Sequence, residues 1–182
     1  MTRWQVRDRF LDLKTRWFTL IGEHWDTEQG KLEYWRVERE DSAVVLPLWA
    51  DEFLLPKPMY RPGVGQATLD FPGGRIGLGT TPSDAAMQIL QRELGISASA
   101  VDMLQALNSE GWPINSSFSN QRLYGFVAEL RAETVPSVQC QRFPKNAAGM
   151  AALSQALICL QCRAVLREWQ IQFAGTEVTL PV

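Results

Sequence analysis

The most constraining stretch of the chain is Leu69 to Ile96, LDFPGGRIGLGTTPSDAAMQILQRELGI, in which a strand end, a glycine-rich loop and a capped helix follow without a gap. Leu69 and Phe71 alternate with Asp70 ahead of Pro72, as at a strand end. Thr81 is a suitable N-cap, Pro82 fits the first helical position, and Asp84 completes a Thr-x-x-Asp capping box. Gly95 then stops the helix, where a left-handed residue costs least.

This stretch resembles the box of the Nudix hydrolases, G-x5-E-x7-R-E-U-x-E-E-x-G-U, with U a bulky apolar residue. Gly74 falls on the first glycine, Leu90 on the inner U, Glu93 on the last glutamate, Gly95 on the late glycine and Ile96 on the final U. The other chemical positions differ. Thr80 replaces the first glutamate, Gln88 and Ile89 replace Arg-Glu, and Arg92 replaces the first glutamate of the pair. The family's helix holds Mg2+ with carboxylates that share a face at i, i+3 and i+4, because a hard cation needs several oxygens. Here that face carries Ile89, Arg92 and Glu93. A guanidinium about 5 Å from a divalent ion repels it by roughly 6 kcal/mol at an effective dielectric near 20. The expectation is a Nudix scaffold with most metal-binding glutamates lost and no resident cofactor. Glu93 is the residual candidate for metal binding or catalysis.

Outside the box, the resemblance is to the ADP-ribose pyrophosphatase branch. Its counterparts are Trp4, Trp17, Gly30 to Tyr34, Ala43 to Trp49, Met59-Tyr60-Arg61 and Asp70 to Gly74. The branch implies an α+β fold: an α/β/α sandwich on a mixed sheet with an N-terminal β-hairpin extension. Residues 1–41 are expected to form that extension and to carry homodimerisation, and residues 42–182 the Nudix-type domain. The candidate ligand-binding residues are Arg61, Asp70, Gly73, Gly74, Arg75, Arg92 and Arg122. Arg92 either supplies the positive charge Mg2+ would bring or pairs structurally with Glu93 or Asp70. Gly73, Gly74, Gly77 and Gly79 serve either loop geometry or phosphate contact. Trp112, in a polar loop, is a candidate for stacking on a base.

The rest of the chain sets bounds. With 182 residues, 46% hydrophobic, it can bury a core, and its net charge of −2 gives no reason to expect nucleic acid or an anionic membrane as partner. No apolar run reaches a membrane span and the first residues lack a signal-peptide core, so a cytoplasmic location is the expectation. Cys159 and Cys162 form a C-x2-C inside an apolar helical run, with only Cys140 and a distant His24 besides. Reduced, buried thiols are expected there, because a zinc site needs about four ligands. The single histidine is expected to be structural.

Residues 3–14 fit neither helical nor strand period. Strands are expected at 16–25, 31–39, 42–49, 52–60, 67–71, 101–108 and 121–130, a loop at 131–144, and one long helix from about Asn146 to Trp169.

Three readings compete. The first is a protein that binds a nucleoside-diphosphate sugar without metal and hydrolyses it poorly or not at all. The second is an interaction module on a Nudix scaffold. The third is an active Mg2+-dependent hydrolase whose site is rearranged around Glu93, Asp70 and Glu129 or Glu133.

Overall fold

The computed structural model describes residues 4–134 and 139–173. The C-terminal segment 171–182, which the sequence leaves as a short strand or a tail, lies outside the described residues from 174 on. No helix among the described residues is long and apolar enough to cross a membrane.

The N-terminal part is an antiparallel three-stranded sheet of β1 (Gln5–Lys14), β2 (Thr19–Thr27) and β3 (Gly30–Glu38), in that order. It is one strand larger than the expected hairpin. The segment that fits no period is β1, whose register against β2 shifts between Val6 and Asp8 and again between Arg9 and Leu11. Each bulge moves the following side chains to the opposite face, which removes the alternation a strand shows in sequence. Glu23, buried in β2, holds this sheet together electrostatically. It accepts from Arg36 Nε at 2.9 Å and from Arg9 Nη2 at 3.0 Å, while Arg36 Nη1 also reaches Glu38 at 2.6 Å. His24 pairs with Asp8 at 3.0 Å and lies against the Phe10 ring, a structural placement.

The body is a seven-stranded mixed sheet. Its strands are β4 (Ser42–Trp49), β5 (Glu52–Pro56), β8 (Gly73–Arg75), β9 (Val101–Ala106), β10 (Trp112–Pro113), β11 (Arg122–Leu130) and β12 (Cys140–Pro144); β6 (Met59–Arg61) and β7 (Gln66–Thr68) form a separate hairpin. The parallel pair β4–β11 is central. Pro47 is tolerated there because on the other side of β4, β8 pairs only with residues 42–44 and β5 only with residues 48–49. Its missing N–H falls in that gap. The segment expected as a loop at 131–144 contains β12, which pairs with β5 from Cys140↔Pro56 to Pro144↔Glu52. Such an edge strand has no second neighbour, so its sequence needs little periodicity.

Among the described residues, three α-helices cover the sheet: α1 (Pro82–Leu94), α2 (Ala147–Ala156) and α3 (Leu160–Phe173). Alternation along β4 sorts the core into two layers. Ala43 and Val45 face α1 with Ile89, Leu90 and Leu94, whereas Val44, Leu46 and Leu48 face α2 and α3 with Leu153, Leu157, Val165 and Trp169. The architecture is the expected α/β/α sandwich.

Helix α1 begins and ends as its sequence dictates. Thr81 Oγ1 accepts from Asp84 N at 3.1 Å, and Gly95 sits at φ 68° with its N–H on Gln91 O. The expected single helix over 146–169 is instead two. Leu157 adopts φ −78°, ψ 111°, and a new helix starts after Cys159. No glycine or proline marks the break; it places Leu157 and Cys162 together in the core and leaves Ile158 and Leu160 exposed. Packing overrides local propensity here.

Candidate functional site

A cavity of about 480 Å³ opens between the β6–β7 hairpin, β8 and the start of α3. Five of the expected ligand-binding residues line it: Arg61, Asp70, Gly73, Gly74 and Arg75. Arg39 joins them, so three arginines and one aspartate line the cavity; with Glu40 paired to Arg75, the formal excess is one positive charge. Arg61 reaches Asp70 Oδ2 at 3.1 Å, and Thr68 Oγ1 donates to the same oxygen at 2.7 Å. Arg75 pairs with Glu40 at 3.3 Å and stacks on the Trp17 ring at 4.5 Å, which fixes its direction from the N-terminal sheet. Arg39 makes no ion pair among the described residues. Ser42 also lines the cavity, and its buried hydroxyl has no hydrogen-bond partner among the described residues. An unpartnered buried hydroxyl is costly unless something else satisfies it.

Arg92 and Arg122 lie elsewhere. Arg92 Nη2 donates to Glu93 Oε1 at 2.7 Å and to the Gly73 carbonyl at 3.1 Å, outside the cavity lining. It is the structural pairing with Glu93 that forms, since Asp70 is taken by Arg61. Arg122 donates to the carbonyls of Glu110 and Gly111 and so braces a loop.

The carboxylate of α1 is engaged on both oxygens. Glu93 Oε1 meets Arg92, and Oε2 accepts from Gly73 N at 3.3 Å. That contact also takes the Gly73 N–H from any phosphate. A Cβ on Gly74 would come 2.8 Å from Arg92 Nη2, so glycine there serves the close approach of α1 to β8. Of the loop glycines 73, 74, 77 and 79, Gly79 alone needs a left-handed backbone, at φ 77°.

These α1 residues do not fit Mg2+: one carboxylate, already neutralised by a guanidinium, replaces the several free oxygens a hard cation requires. Glu93, Glu129 and Glu133 do not join Asp70 in a cluster of metal-ligating groups among the described residues. The groups that do converge on Asp70 are Cys159 and Cys162. Both cysteines are free, and Phe71 N donates to Cys162 Sγ at 3.3 Å. The hydrogen bond between the two thiols pulls Cys159 down to about 6 and, with burial, pushes Cys162 up. Sequence reasoning missed this convergence because Asp70 lies some ninety positions from the C-x2-C.

A second, apolar cavity of about 300 Å³ adjoins the first, sharing Cys159 and Gln161 as walls. Trp112 lines it with Pro113, Ile114 and Leu160, and its ring also lies over Gly125 in the core.

No family model matches the chain. It is 24% identical over 98 residues to an uncharacterized Nudix hydrolase of Schizosaccharomyces pombe, 48% of this chain and 48% of that protein. The chain thus spans about half the length of the curated relative it matches. A solved structure described as an ADP compounds hydrolase superposes with a TM-score of 0.77 at 21% identity, covering 94% of this chain and 96% of that one. The chain therefore has a Nudix-like α+β fold, with sequence similarity to a Nudix hydrolase along just under half of its length.

Proposed function

We propose that this protein binds a nucleoside-diphosphate sugar, of which ADP-ribose is the first candidate, in a metal-independent way, and that it is catalytically impaired as a Nudix hydrolase. The observation that carries the reading is the cavity lined by Arg39, Arg61 and Arg75 together with the Ser42 hydroxyl, which has no hydrogen-bond partner among the described residues. Fixed guanidinium groups can hold a diphosphate bidentately without a cation. The adjoining apolar cavity beside Trp112 has the size and chemistry for a base. The engagement of Glu93 by Arg92 supports the loss of metal-assisted hydrolysis. The superposable ADP compounds hydrolase favours a nucleotide-type ligand.

The test is a thermal-shift series in EDTA with inorganic pyrophosphate, adenosine, ADP and ADP-ribose. The reading expects pyrophosphate and adenosine each to stabilise weakly and ADP-ribose most, with the ADP-ribose increment reduced by Trp112→Ala. Equal, negligible shifts for all four would contradict it.

The N-terminal sheet serves in this reading as a homodimer interface. Phe10 and Trp35, both exposed, pack edge-on at 5.2 Å on that sheet, and Val6, Leu13 and Leu32 are exposed on it too. An apolar patch of that kind marks an association surface.

A further inference from the structure

We propose that Asp70, Cys159 and Cys162 form a zinc-type metal site on the wall of the arginine-lined cavity, with one coordination position facing the cavity. The ligand atoms of these three residues all lie within 4.8 Å of one another. Cys162 Sγ is 4.0 Å from Asp70 Oδ1. Sulfur ligands at about 2.3 Å from zinc stand about 3.8 Å apart, so the cluster needs only a small contraction to close on an ion.

Three features prepare these groups for a soft cation. The C-x2-C spans the start of α3, so one helical turn sets the two sulfurs on one side. The carboxylate of Asp70 is oriented through its other oxygen: Oδ2 is held by Arg61 and Thr68, which leaves Oδ1 toward the sulfurs. The Phe71 N–H on Cys162 Sγ is the kind of outer contact that supports a bound thiolate. Two thiolates and one carboxylate exceed the charge of a divalent cation by one negative charge, which the Arg61 guanidinium on Asp70 balances, and the sulfur donors select zinc over Mg2+. All three residues line the cavity, so solvent can supply the fourth donor. The site does not depend on the nucleotide reading, because its ligands are complete without a nucleotide.

The experiment titrates Co2+ and then Zn2+ into the reduced full chain. The expected result is a thiolate-to-cobalt charge-transfer band with the visible bands of a tetrahedral site, discharged by one equivalent of Zn2+. The band is lost in Cys159→Ser and in Cys162→Ser, and unchanged in Cys140→Ser. Competition with a chromophoric chelator gives a zinc affinity about tenfold weaker in Thr68→Ala, through misorientation of Asp70. Far-ultraviolet circular dichroism of each variant separates loss of the site from loss of the fold. Absence of the band in the reduced wild type, or its persistence in folded Cys162→Ser, overturns the proposal.

Discussion

Arg92 Nη2 stands 2.7 Å from Glu93 Oε1, so the carboxylate of α1 that a Nudix helix would offer a cation already holds a guanidinium. The same nitrogen bonds the Gly73 carbonyl, which ties α1 to β8. The positive charges that face the cavity come instead from Arg39, Arg61 and Arg75.

This division predicts how arginine variants behave. Arg39→Ala and Arg61→Ala are each expected to lose about 1.5–3 kcal/mol of ADP-ribose binding, at least about tenfold in Kd. Arg92→Ala is expected to change affinity by less than about fivefold and stability by less than about 1 kcal/mol, because its pair is more than half exposed on the arginine side. Calorimetric titration of the three variants checks the order.

The fold carries a sharp steric constraint at Gly149. A Cβ there would lie 2.0 Å from the Pro144 carbonyl oxygen, a backbone atom that cannot step aside. Gly149→Ala is therefore expected to destabilise by at least about 2 kcal/mol, despite the usual helix preference for alanine. Urea unfolding measures it, with Ala148→Gly as the contrasting surface change.

Much of this was legible in the sequence, for identifiable reasons. The capped helix α1 was readable because Thr81, Pro82, Asp84 and Gly95 act locally. The mixed sheet and the presence of Arg61, Asp70, Gly73, Gly74 and Arg75 at one cavity followed from the resemblance in spacing. The break at Leu157 was not readable, since it satisfies burial of Leu157 and Cys162 rather than any local preference. The bulges of β1 erased its alternation, and β12 carries too little pattern to announce itself. Arg39 gave no signal because it sits between strands, outside any motif, and reaches the cavity through tertiary placement.

The buried Glu23 makes the N-terminal sheet sensitive to acid. Arg36 first, and then Arg9, hold its carboxyl below the ordinary range against the opposing effect of burial. A depressed folded value contributes stability above the unfolded value, near 4.3, and that stability is lost as pH falls through the folded value. Glu23→Gln is expected to lower Tm at pH 7, with the difference from wild type shrinking below about pH 4. Parallel melting series at the two pH values decide it.

The exposed aromatic patch predicts self-association. Trp35→Glu is expected to shift a dimer toward monomer in sedimentation velocity, with ADP-ribose binding retained, since Trp35 lies outside the cavity lining. A wild type that sediments as a monomer at every concentration would remove the dimer interface from the account.

The most direct measurement of the central claim is calorimetric titration of ADP-ribose into the full chain, in Mg2+ and separately in EDTA, followed by chromatography of the cell contents for AMP. The account predicts saturable heat of similar magnitude in both buffers and no AMP. AMP formed in Mg2+ alone would contradict it and assign the fold a working metal site.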